Sequence, residues 1–100
     1  MAQTHHDVIR QHIDQNELLA QLAEEATELA HAALKLRRAN MATNPTPVAA
    51  ADAYANLMEE LADVRNCVSV LGFDRVVDQM HISRVCRQKM ERWADRLKNT

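Results

Sequence analysis

Glycine occurs once in this chain of 100 residues and proline twice. So few breakers exclude a turn-rich all-β domain, and no segment shows the polar–apolar alternation of a strand. Abundant Ala, Leu, Glu and Arg favour helix instead. Aromatics are almost as scarce, one each of Phe, Trp and Tyr. The core must therefore be built from Leu, Val, Ala and Met. A core that thin in one short domain predicts an oligomer. The two cysteines, Cys67 and Cys86, have neither metal-ligand spacing nor a pairing pattern. They are expected to be reduced and buried, in a cytosolic chain. No apolar run approaches the ~20 residues that span a bilayer, and no charged-then-apolar leader opens the sequence. These absences predict a soluble, cytoplasmic protein without a membrane partner. A net charge of -2 offers no basic field for nucleic acid.

What is present is helical periodicity. Residues 1–4 read as a frayed end, and 5–15 as a weak helix carrying Val8, Ile9 and Ile13. Asn16 is a candidate cap for a second helix over 17–39. Its stripe is Leu19, Leu22, Ala26, Leu29, Ala33 and Leu36, at alternating steps of three and four. Residues 40–47 read as a loop containing Asn44-Pro45-Thr46-Pro47, with Thr46 as cap and Pro47 in the first turn of a third helix. That helix runs to Leu71 with the stripe Tyr54, Leu57, Leu61, Val64, Val68 and Leu71. Gly72 sits where a helix C-terminus favours glycine. Asp74 is a candidate cap for a fourth helix to Lys98, striped by Ile82, Cys86, Met90, Trp93 and Leu97, with a break near Ser83. The fold class is all-α: one domain over 1–100, of four or five helices.

The second and third helices are related. Leu22-Ala-Glu24-Glu25-Ala-Thr-Glu28-Leu29 returns as Leu57-Met-Glu59-Glu60-Leu-Ala-Asp63-Val64, 35 positions later. The match extends outward, Leu19 to Tyr54, Ala33 to Val68 and Leu36 to Leu71. One offset is too little for a solenoid and reads as two similar helices facing each other across a local pseudo-twofold. At ~100° per residue, Glu25 and Glu60 fall roughly 70–75° from the middle of their stripes, and Glu28 and Asp63 roughly 130–135°. If the stripes pack antiparallel, four carboxylates converge beside the seam. Like charges at helical spacing weaken a helix, and close carboxylates force one another to protonate. A hard divalent cation removes that conflict, and oxygen-only ligands suit Mg²⁺ or Mn²⁺ shared with a phosphate. The di-iron arrangement needs Glu-x-x-His, which neither copy has. A solvated acidic face is the plain alternative. Two copies in register with two matching stripes argue against it.

The pair Glu25-x-x-Glu28 and Glu60-x-x-Asp63 resembles the signature of the MazG-like, all-α nucleoside triphosphate pyrophosphohydrolases. The likeness spans residues 12–97 and is nearest to the short, single-domain members of phages and prophages. A helix ending in Lys35-x-Arg37-Arg38, a variable loop, a second acidic helix and a basic last helix follow the same order. Thr27 departs from a frequent glycine at a tolerant position. The resemblance implies Mg²⁺-dependent hydrolysis of a nucleoside triphosphate between its α and β phosphates, giving the monophosphate and pyrophosphate. Glu25, Glu28, Glu60 and Asp63 would hold the metal. Glu24, Glu25 and Glu59 are the catalytic candidates, Glu24 and Glu59 as ligands behind the metal's own or as a base orienting water. Lys89 and Arg92 are candidate phosphate contacts, with a solvated helix face as the alternative. The expected assembly is a homodimer or homotetramer packed as a four-helix bundle.

Other features have plainer readings. Lys35, Arg37 and Arg38 suit the negative end of a helix dipole. His5 and His6 stand at an end, and His12, His31 and His81 share no zinc spacing. Trp93 lies at stripe spacing, which favours core or interface over base stacking. Asn66 and Cys67 follow Asp63 by a turn and are candidates to face substrate. Two other functions fit the pattern: phosphoribosyl-ATP pyrophosphohydrolase, and a non-catalytic helical interaction protein whose acids bind no metal.

Overall fold

A computed structural model describes residues 2–41 and 49–99. It contains α1 (His5–His12), α2 (Gln15–Asn40), α3 (Ala50–Leu71) and α4 (Val76–Lys98), with no strand among the described residues. None of these helices is long and apolar enough to cross a membrane. The helix starts follow local side-chain chemistry. Thr4, expected to fray, caps α1 reciprocally: Asp7 donates its amide to Thr4 Oγ1 at 3.1 Å, and the Thr4 amide donates to Asp7 Oδ2 at 3.2 Å. Hydrogen bonding from Thr4, its backbone amide first and then its side chain, holds the Asp7 carboxyl below its ordinary range. Asp14, rather than Asn16, caps α2 by accepting from the Glu17 amide at 2.9 Å. The N-cap of α4 is Arg75, one residue past Asp74, with no side-chain cap bond. The helix then runs unbroken through Ser83. Asn40, expected in the loop, is the last residue of α2. Thr46 and Pro47 lie outside the described residues, and the N-cap of α3 is Ala49 rather than Thr46, with no side-chain cap bond.

Gly72 ends α3 in the left-handed region at φ 82°. The Gly72 amide donates to Ser69 O at 2.9 Å and the Phe73 amide to Val68 O at 3.1 Å, the two bonds of a Schellman motif. Arg10 of α1 adds a bond from Nε to Val70 O at 2.7 Å. His6 Nε2 and Ser69 Oγ share a hydrogen bond of 2.6 Å. Helix α1 is thereby tied to the negative end of α3, where a cation is favoured.

Helices α2 and α3 form the principal packed pair. They are antiparallel: Leu18, near the start of α2, lines one cleft with Val70 and Leu71 at the end of α3. Their seam is Leu18, Leu22, Glu25, Leu29, Ala32 and Leu36 against Ala53, Leu57, Glu60, Val64, Cys67 and Leu71, all buried or half-buried. Each α2 position maps onto its α3 counterpart by the 35-residue offset. This seam corrects the stripes read from the sequence by a rotation of roughly 50°. Leu22, Leu29 and Leu36 belong to both, but Leu19 is 41% exposed and Tyr54 56%. The physical reason is composition. An acid holds the middle of each inner seam, so apolar periodicity is drawn towards the neighbouring face.

Among the described residues, the buried hydrophobics are Leu18, Ala32, Ala53 and Val70 alone. Helix α4 has no packed interface with another helix among the described residues. Its Met90 and Trp93 are exposed, and Cys86, expected to be buried, is exposed too. The radius of gyration is 17.6 Å, against about 13 Å for a compact 100-residue domain.

Candidate metal centre

The rotation of the seam moves the acids inward. Glu25 and Glu60 occupy seam positions, roughly 20° from its centre, and Glu28 and Asp63 stand roughly 80° from it on one side. Carboxylate oxygens of Glu25, Glu60 and Asp63 lie within 4.8 Å of one another. Glu25 and Glu60 are half-buried and Asp63 is exposed. The Glu60 carboxyl is pushed above its ordinary value, first by desolvation, then by the negative charges of Asp63, Glu25, Glu28 and Glu59. Every charge that acts on it is another carboxylate. Gln21 donates from Nε2 to Glu25 Oε1 at 2.8 Å and orients that carboxylate. The sequence reading did not single out Gln21, although its spacing of four from Glu25 is the signal that finds it.

Glu28 adds charge at Glu60 but stands outside the three-carboxylate group, as do Glu24 and Glu59, and all three are exposed. Cys67 borders the centre from the seam. Burial and then the charges of Glu25 and Asp63 push its thiol up, which keeps it protonated at neutral pH. Lys89 and Arg92 line a shallow cleft on α4 with Trp93, Asp95, Arg96 and Asn99. Because α4 does not pack on α2 or α3, a single chain does not bring these cations to the acids.

The donor set fits a hard cation. Opposite ligands of an octahedral Mg²⁺ stand about 4.2 Å apart at a bond length of ~2.1 Å. The triad is close to that width with small side-chain movements. Three carboxylates leave room for waters and phosphate oxygens, which is how Mg²⁺ is usually held. No family model matches the chain, and neither a curated protein nor a solved structure matches it.

Proposed function

We propose that the chain is a Mg²⁺-dependent nucleoside triphosphate pyrophosphohydrolase that cleaves between the α and β phosphates and acts as a homo-oligomer. The observation that carries this reading is the convergence of Glu25, Glu60 and Asp63 from two equivalent helices, with like charge alone acting on Glu60. A folded chain that holds such a cluster at the edge of its seam gains most from a bound divalent cation. Mn²⁺ can serve in the same all-oxygen site. The motif resemblance supplies the reaction. When bound, the metal would stabilise charge on the phosphate oxygens and help activate water.

In this reading the residues divide the work. Glu25, Glu60 and Asp63 hold the cation, with Gln21 fixing the Glu25 carboxylate. Glu28 stands on the same face as a further ligand once the charge is compensated. Glu24 and Glu59 flank the centre as solvent-facing bases for the water's proton. Lys89 and Arg92 contact phosphate only if α4, from the same chain or another, is carried to the acidic face.

The test is pyrophosphate release from a panel of nucleoside triphosphates with Mg²⁺. Activity is expected in the wild type and should vanish in Glu25→Gln and Asp63→Asn. Unchanged activity in both variants removes the site. No activity on any nucleotide, with no Mg²⁺-dependent stabilisation, favours the interaction protein instead.

A further inference from the structure

Helices α3 and α4 are joined by four residues, Gly72 to Arg75. The angle between them rests on polar groups at the surface. Arg75 Nε donates to Gly72 O at 2.8 Å, Gln79 Nε2 donates to Phe73 O at 3.3 Å, and Arg75 Nε lies 3.7 Å from Asp78 Oδ2. The cleft inside the angle is lined by Arg65, Val68 and Ser69 of α3 with Asp74 and Gln79. So α4 leaves on the side of α3 that carries Arg65 and Ser69. One row continues down that side through Leu61, Met58 and Tyr54, exposed by 40%, 39% and 56%. It stands roughly 110° from the middle of the seam, on the face away from Asp63.

Helix α4 carries a row of its own. Ile82, Cys86, Met90, Trp93 and Leu97 fall within about 80° of arc, and all five are exposed. The helices are of nearly equal length, 22 and 23 residues. Counted outward from the turn, the two rows stand level. Arg65 matches Ile82, Leu61 matches Cys86, and Tyr54 matches Trp93, with Met58 and Met90 one residue off. A turn of two to five residues is also what joins antiparallel neighbouring helices.

We propose that α4 closes about residues 72–75 onto the outer face of its own α3, completing a three-helix bundle with α2. In the closed form Tyr54 packs on Trp93 and Leu61 on Cys86, and the stem of Arg65 covers Ile82. Closing takes from water the apolar rows that the open form exposes on both helices. Glu28 and Asp63 stay uncovered on the opposite face. Lys89 and Arg92 are then held away from the acids of the same chain, so a chain's own α4 does not supply them with phosphate contacts.

Closure is independent of catalysis and is tested without it. In a Cys67→Ala background, Leu61→Cys faces the native Cys86 only in the closed form. Packed helices with axes about 8–10 Å apart bring level side chains within disulfide reach. Mild oxidation of the full chain should link position 61 to Cys86 within one chain, at a rate independent of protein concentration. That rate should exceed at least tenfold the rate for Glu59→Cys, which points about 160° away around α3. Disulfides that form only between chains, faster at higher concentration, overturn the proposal. So does a rate no greater than that of the Glu59→Cys control. If Leu61→Cys fails to fold, Met58→Cys with Met90→Cys, both native cysteines replaced by alanine, decides in the same way. Trp93 is the sole tryptophan, and acrylamide quenching as free in the folded chain as in urea also overturns closure.

Discussion

Glu60→Gln should stabilise the metal-free protein and abolish most of its response to Mg²⁺. The first half follows from the raised carboxyl. A carboxylate whose folded pKa lies above its ordinary 4.5 is less comfortable ionised in the fold than in the unfolded chain. Replacing it with an isosteric amide removes that disadvantage, so the apo melting temperature should rise. The second half follows from the ligand set, since the change takes one of three charged ligands whose oxygens lie within 4.8 Å. For the wild type, a cation at 100 times its dissociation constant adds about 2.7 kcal/mol. A kilocalorie shifts the melting point of a domain this size by ~4–8 °C, so Mg²⁺ should raise it by about 10–20 °C. The assay is thermal unfolding followed by circular dichroism, with and without Mg²⁺ at matched ionic strength. Matching the salt separates site binding from screening of exposed charge. The reasoning is refuted if Glu60→Gln melts below the wild type in the absence of metal. It is equally refuted if the variant keeps the full Mg²⁺ shift.

Three further outcomes are expected. Between pH 4.5 and its raised pKa, Glu60 binds more proton folded than unfolded, so this group's contribution to apo stability falls as pH rises through that window. Melting curves from pH 7 down to 5 should show a gain on acidification that Glu60→Gln lacks. Gly72→Ala should cost about 1–2 kcal/mol by urea unfolding, because φ 82° is unfavourable for any Cβ. A Cβ there meets nothing closer than Arg75 Nε at 3.7 Å, so a loss well beyond that range would mean the cause is not backbone strain. Leu18→Ala should cost about 2–5 kcal/mol in the same assay, since Leu18 is only 6% exposed. A near-neutral Leu18→Ala would place the seam elsewhere.

Much of this was legible in the sequence. Periodicity finds α2, α3 and α4 and the C-terminal glycine of α3 because each signal is local. The doubled octapeptide finds the acids because equivalent helices place equivalent residues at equivalent angles. The rotation of the seam was not legible. Periodicity averages apolar positions and counts an acid against burial, yet Glu25 and Glu60 sit in the packed line. Caps slipped by one to three residues: Asp14 and Asn16 offer the same chemistry and only the backbone selects between them, while α3 and α4 start at Ala49 and Arg75 without a side-chain cap bond. Nor could spacing show that α4 leaves the pair, because its stripe looks the same whether it faces its own chain or another.

The displaced seam and the thin core are one fact. Packing α2 against α3 offers six positions on each helix, and each helix gives one near the middle to a glutamate. Ala32 and Ala53, at 2% and 1% exposure, let the backbones approach but bury little apolar area. A pair so built cannot close a domain of this length by itself. The apolar area missing from the seam lies instead in the open, on the face beyond it at Tyr54, Met58 and Leu61 and along α4 at Val76, Val77, Met80 and Leu97. If the acids were moved outward and leucines placed at 25 and 60, the chain should become more stable alone and lose its cation response. That exchange of stability for a charged site is what a functional centre in a core position predicts. The more of the inner seam is given to charge, the less apolar area the pair buries by itself.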